Sequence, residues 1–155
     1  MGFLDKLKNA GKEAVKGALI MAAKSYGTVL DKSNGLCKVG LGNNNTALVL
    51  IKVSKIEQQY TIAEDIKTFT VVEDDIQRNR HSIEIELNNG EKFGILLTVD
   101  KNQGSALPTA EERVAAHYAN AAEFLYALAR HVPTISPETK DWVNGIMRLA
   151  GQPQL

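Results

Sequence analysis

The sequence predicts an α+β fold: a tract of short antiparallel strands closed by one long amphipathic helix, with an amphipathic helix before it and a short helix after it. Three observations carry this. Residues 36–100 alternate apolar and polar types at period two, with no helical repeat between them. From Thr109 to Val132 the apolar residues recur every three or four positions behind a clear helix start. Residues 1–33 have the helical spacing too, with a charge excess of their own, six Lys against three acids. The chain therefore divides into a helical extension (1–33), a strand-and-helix domain (34–132) and a short helix with its tail (133–155).

In the extension, Phe3, Leu4, Leu7, Gly11, Ala14, Val15, Ala18, Met21 and Ala22 share one helical face. Asp5, Asn9, Lys12, Glu13 and Lys16 occupy the other, with Lys6 and Lys24 at its margin, while Leu19 and Ile20 depart from the pattern. Gly27 and then Ser33-Asn34-Gly35 are expected to end the segment.

The strand tract opens at Leu36. Ala47, Val49, Ile51 and Val53 read as the buried side of one strand, Tyr60-Thr61-Ile62 as a short second one, and Thr68 to Val72 as a third. Ile83, Ile85 and Leu87 alternate with Ser82, Glu84 and Glu86, and Phe93, Ile95, Leu97 and Val99 continue the pattern. Between them Asn88-Asn89-Gly90 suits a three-residue hairpin loop with Gly90 at positive φ. That loop sets Ile85 opposite Phe93, Ile83 opposite Ile95 and Glu86 opposite Lys92; a two-residue loop would set Glu86 against Phe93 and mix the faces.

Thr109 and Glu112 form a capping box, and Val114, Tyr118, Ala121, Leu125, Leu128 and Val132, broadened by Phe124, mark the stripe of the long helix until Pro133 stops it. Ser136-Pro137 is a second helix start, followed by Trp142, Ile146 and Leu149.

Composition narrows the function. In 155 residues, 44% hydrophobic and 23% charged, 18 Lys+Arg balance 18 Asp+Glu, so no overall field recruits nucleic acid. The single cysteine, Cys37, excludes an intramolecular disulfide framework and suits a reducing, cytoplasmic setting. Residues 17–23 are too short an apolar core for a secretory leader, and Lys6 occupies the position where myristoylation needs Ser or Thr.

Enzyme signals are missing. His81, His117 and His131 match no metal-ligand spacing and read as structural, as does Cys37. Gly40-Leu41-Gly42 lacks the third glycine and following helix of a phosphate cradle, and no Gly-x-Ser-x-Gly elbow occurs. Glu73-Asp74-Asp75 beside Arg78, Arg80 and His81 reads either as a solvated turn whose charges pair locally or as a small ion site. No calcium-loop spacing follows the acids, which favours the first.

The tract from Leu36 to Val132 resembles a bacterial pleckstrin-homology-like (PH-like) domain. The resemblance rests on the run of strands without intervening helix, on the phrase Ile62-Ala63-Glu64-Asp65-Ile66-Lys67-Thr68-Phe69, and on the hairpin 83–99 followed by a long helix. It implies seven strands in an antiparallel β-barrel or sandwich of two near-orthogonal sheets, capped by the C-terminal helix. Many phosphoinositide-binding relatives carry Lys and Arg near the first hairpin. Gly40-Leu41-Gly42-Asn43-Asn44-Asn45 has neither, so headgroup recognition does not carry over.

The expected function is therefore non-enzymatic, without cofactor or metal: a binding or scaffolding module that holds a protein partner or a second copy of itself. The candidate contacts are Phe3, Leu4 and Leu7 with Lys6, Lys8, Lys12 and Lys16 in the extension, and Trp142 and Ile146 in the last helix. The rival reading lays the extension on an anionic membrane surface. Burying Phe3, Leu4 and Leu7 there would contribute roughly 5–8 kcal/mol before ordering costs, and each lysine on the order of 1 kcal/mol.

Overall fold

Alternation of buried and exposed side chains, interrupted by polar turns, produces seven antiparallel strands, and a computed structural model describes them within residues 25–30, 37–53, 55–98 and 109–155. In chain order they are β1 (Gly27–Val29), β2 (Lys38–Gly42), β3 (Ala47–Lys52), β4 (Lys55–Thr61), β5 (Ile66–Asp75), β6 (Arg80–Leu87) and β7 (Lys92–Leu97). A four-residue helix, α1 (Ile62–Asp65), joins β4 to β5; α2 (Ala110–His131) and α3 (Pro137–Leu149) follow the strands. The strand order is β4-β3-β2-β1-β7-β6-β5. Two meanders, β1–β4 and β5–β7, thus become one sheet through the pairing of β1 with β7.

The seven strands form one antiparallel ladder that does not close as a barrel would, with β4 and β5 at its edges. The reason is local. Ile62 and Ile66 are both fully buried, so the chain passes from one edge to the other through a helical turn, where a hairpin would have closed the ladder. The Asn88 side-chain amide donates to the Glu64 carbonyl, and the Asn88 N–H donates to the Asp65 carbonyl at 3.0 Å, tying that turn to the β6–β7 loop.

The β6–β7 hairpin has the expected register, with Ile85 opposite Phe93, Ile83 opposite Ile95 and Glu86 opposite Lys92. Its loop closes through Leu87 N–H to Glu91 O at 2.8 Å, with Gly90 at φ 90°. The Thr109 hydroxyl caps α2 by accepting from the Glu112 N–H at 3.1 Å. Ser136 caps α3 in the same way through Thr139 N–H at 3.1 Å. At its far end Gln152 N–H reaches Met147 O at 2.9 Å and Gly151, at φ 69°, reaches Arg148 O at 3.0 Å, the Schellman arrangement. The three asparagines of the β2–β3 turn all adopt positive φ, at 52°, 56° and 65°, a region that asparagine tolerates better than most side chains.

Several expectations need correction. β1 lies inside the segment assigned to the helical extension: Gly27 opens a strand instead of ending a helix. The rest of the extended helix lies outside the described residues. β4 begins at Lys55, and Ile62 belongs to α1; β4 is exposed along most of its length, so its sequence carries no alternation to read. On β3 the main core takes Leu48 and Leu50, whereas Ala47 and Val49 form a separate small buried cluster with Ile51 against it. Val53 is exposed in the turn at φ 47°, a strained conformation for a β-branched residue. On α3 the buried side is Thr139, Val143, Ile146 and Met147, with Trp142 half-buried and Leu149 exposed.

One core connects these parts: Phe69, Ile83, Ile85, Ile95 and Leu97 from the sheet meet Phe124, Leu125 and Leu128 of α2, and Tyr26 stacks on Phe124 at 5.4 Å. Burial and the neighbouring Glu123 raise the Tyr26 hydroxyl pKa well above the usual tyrosine range. The tightest point is Gly27, where a Cβ would overlap the carbonyl oxygen of Leu96 on β7. Gly27→Ala is expected to lose on the order of 1–3 kcal/mol of stability by overpacking, measured by urea unfolding. A midpoint equal to that of the natural chain would contradict the close approach.

Candidate functional site

The far end of the β5–β6 hairpin gathers the charges singled out in the sequence. The ladder sets Glu73 opposite Ser82, Asp74 opposite His81 and Asp75 opposite Arg80. Arg80 reaches diagonally to Glu73 at 2.7 Å, and Arg78 approaches Asp75 at 3.7 Å. The acids and bases therefore pair with one another, as the solvated-turn reading expects. These exposed pairs contribute little, about 0–1 kcal/mol each.

His81 departs from the expected basic patch. It is fully buried, with Nδ1 at 2.8 Å from the Asp74 carboxylate and Nε2 at 3.3 Å from the Tyr118 hydroxyl. The Tyr118 hydroxyl also lies 3.3 Å from Asn79 Oδ1. A carboxylate on Nδ1 places a hydrogen there and fixes the ring, so Nε2 is an acceptor and competes with Asn79 Oδ1 for the single Tyr118 hydroxyl hydrogen. Burial first, then Asp74, raises the Tyr118 pKa. The chain Asp74–His81–Tyr118–Asn79 thus pins the hairpin to α2. Both imidazole nitrogens are engaged, and His81 has no accessible surface for a substrate.

Two further rings complete the cluster. His117 of α2 stacks on His81 with centroids 5.4 Å apart and planes at 22°, and Trp142 of α3 lies tilted at 6.4 Å from His81. His117 Nε2 and Trp142 Nε1 are buried and have no hydrogen-bond partner among the described residues. Burial, and secondarily the neighbouring His81, lowers the His117 pKa to about 4. Among the described residues no three His, Cys, Asp or Glu side chains converge as a metal site would require. Cys37 is buried immediately before β2 and is in no disulfide.

Beside this cluster a cleft of ≈ 380 Å³ separates the end of β5 from α3, lined by Asp74, Ile76, Trp142, Gly145, Ile146, Arg148 and Leu149. β5 is an edge strand, and among the described residues it pairs with β6 alone. Three large apolar side chains stand exposed here: Val72 of β5 at 65%, Ile76 of the turn that follows it at 56% and Leu149 of α3 at 52%. A larger cleft of ≈ 550 Å³ runs between α2, α3 and residues 152–154. Asn45 of the β2–β3 turn also lines it, none of its described lining residues belongs to a strand, and the neighbouring tail is held by Leu155 N–H to Asn144 Oδ1 at 2.7 Å.

Of the residues expected to make contacts, Phe3, Leu4, Lys6, Leu7, Lys8, Lys12 and Lys16 lie outside the described residues. Trp142 and Ile146 both line the cleft, but Ile146 is only 2% exposed, so it is core first and contact second. The sequence reading missed the pairing of His81 with His117 and the part played by Ile76. The signal for Asp74–His81 was present, since a four-residue turn at 76–79 dictates that pairing. Nothing local links His81 to a helix 36 positions later.

No protein-family model matches the chain, and no curated protein matches it.

His117 gives this region a pH dependence. Its folded value, about 4, lies below its ordinary value, 6.5, so between the two the unfolded chain binds the proton more readily. Stability is full above about pH 6.5 and declines as pH falls towards about 4. The loss has an upper bound of about 3 kcal/mol, from ~1.4 kcal/mol per tenfold difference in proton affinity, lessened by solvent at the surface. His117→Phe is expected to flatten urea-derived stability over that range. A natural chain with no slope there would contradict the burial of a neutral imidazole.

Proposed function

We propose that the protein is a non-enzymatic protein-binding module of the PH-like type, which takes an extended segment of a partner along the open edge of β5 and one apolar side chain of that segment in the cleft against α3. The observation that carries this reading is the coincidence of a strand edge unpaired among the described residues, bearing exposed Val72, with a cleft lined by exposed Ile76 and Leu149 and by Trp142. An edge strand offers a row of free backbone donors and acceptors, and proteins usually blunt such edges with lysine, proline or a covering element. Beyond Lys67, β5 carries neither residue. Strand addition supplies affinity through main-chain bonds, while the adjoining pocket selects a side chain. The PH-like reading is supported by the two meanders joined through β1 and by the long helix that follows β7.

The test uses the full chain and a displayed library of short random peptides. Peptides selected on the natural protein are expected to share an apolar anchor, to protect β5 amides from hydrogen exchange, and to lose at least tenfold in affinity against Ile76→Lys or Leu149→Lys. Both positions are exposed, so these variants should fold. Selected peptides that protect another element, or that bind both variants unchanged, would reject the cleft. Concentration-dependent light scattering abolished by the same variants would instead identify a second copy as the occupant.

The charge pattern of residues 1–33 favours one further reading, attachment of the extension to anionic lipid. Vesicles rich in phosphatidylserine are expected to co-sediment the full chain and not a chain lacking residues 1–24, a deletion that leaves β1 in place. Equal sedimentation of the two would reject attachment through this segment.

A further inference from the structure

Asp74 has two roles: its carboxylate holds His81 at 2.8 Å, and it lines the cleft between β5 and α3. His81 in turn touches the ring of Trp142, on the opposite wall. The stacked imidazoles therefore stand where the β5–β6 hairpin, α2 and α3 meet, directly behind the proposed binding surface.

A buried pair of this kind accommodates little extra positive charge. From β5 the one carboxylate facing the pair is Asp74, already bound to His81; from β6, Arg80 is turned to Glu73. From α2 the neighbours are Tyr118 and, on the preceding turn, Arg113, which lines a small cavity together with His117. From α3 the contact is the uncharged indole of Trp142, and Arg148 is the charged group of the cleft. A proton added to His117 thus meets another imidazole at 5.4 Å and Arg113 in the cavity beside it, while the Asp74 carboxylate is already bound to His81. Its Nε2 is buried and lacks an acceptor among the described residues.

We propose that the His81–His117 stack is an acid-sensitive latch, in which protonation of His117 parts α3 from the hairpin and α2 and so dismantles the cleft. The inference rests on the reading of that cleft as the binding surface, and it assigns that surface its regulation. The opened form hydrates His117 and lets it take up a proton at its ordinary affinity. Acidification from about pH 6.5 to about pH 4 therefore shifts the opening equilibrium by up to on the order of 10²-fold.

Trp142 is the single tryptophan of the chain, so its emission reports this junction without any ligand. In the full-length protein, titrated from about pH 8 to about pH 4, the emission maximum is expected to move to longer wavelength and α3 amides to exchange faster. Far-UV circular dichroism should hold over the same range. His117→Phe and His117→Gln are expected to remove both changes; the second variant decides the matter if the first does not fold at neutral pH. The proposal is overturned if Trp142 emission is constant across the titration, if either folded variant still shows the transition, or if dichroism is lost at the same pH. Because this readout needs no peptide, its failure is distinguishable from failure of the cleft to bind peptide at neutral pH.

Discussion

The fold depends on three residues. β1, Gly27–Val29, bonds to β2 on one side and to β7 on the other, and among the described residues no other strand connects the two meanders. The approach of β7 to β1 is so close that Gly27 has no space for a side chain. Its flanking side chains compensate for the small contact length. Tyr26 stacks on Phe124 and Val29 is buried in the same core, so β1 is held by packing from α2 as well as by its ladders. Had β1 not formed, each meander would present an apolar face that α2 alone could not cover.

Against that apolar background the polar cluster of Asp74, His81, His117, Tyr118 and Asn79 is an exception with a geometric consequence. A hydrophobic contact leaves the angle between a hairpin and a helix loosely set, whereas a chain of directional bonds sets it closely. The cluster fixes where β5 ends relative to α2, and Trp142, packed on His81, passes that placement on to α3. The shape of the cleft is thus a result of buried hydrogen bonding, and beside it the ring nitrogens His117 Nε2 and Trp142 Nε1 have no hydrogen-bond partner among the described residues. A junction of this kind is stable at neutral pH and responds to protons more than the surrounding core does.

The open edges follow from the link between β4 and β5. A hairpin would have closed the ladder; the buried pair Ile62 and Ile66 draws the chain inward through α1 instead. One result is that β5, next to a helix, pairs with β6 alone among the described residues, and the proposed strand addition follows from that connection.

The sequence by itself determined whatever is settled within a few residues. Pairing of apolar with apolar positions across Asn88-Asn89-Gly90 admits one register for β6 and β7, and Thr109 and Ser136-Pro137 satisfy helix-end donors from within their own turns. It did not reveal β1, because three residues between a helical pattern and a turn carry no usable periodicity, nor most of β4, exposed along nearly its whole length. It offered Trp142 and Ile146 together as contact residues, but Trp142 is half-buried and Ile146 almost wholly so, since a stripe shows which residues share a face and not how deeply that face is covered. Only the tertiary structure decided that His81 is buried and stacked on His117, and that the sheet stays open. Both depend on which distant segments meet, and the free energy of such encounters is spread over many side chains, none of which carries a local mark of its partner.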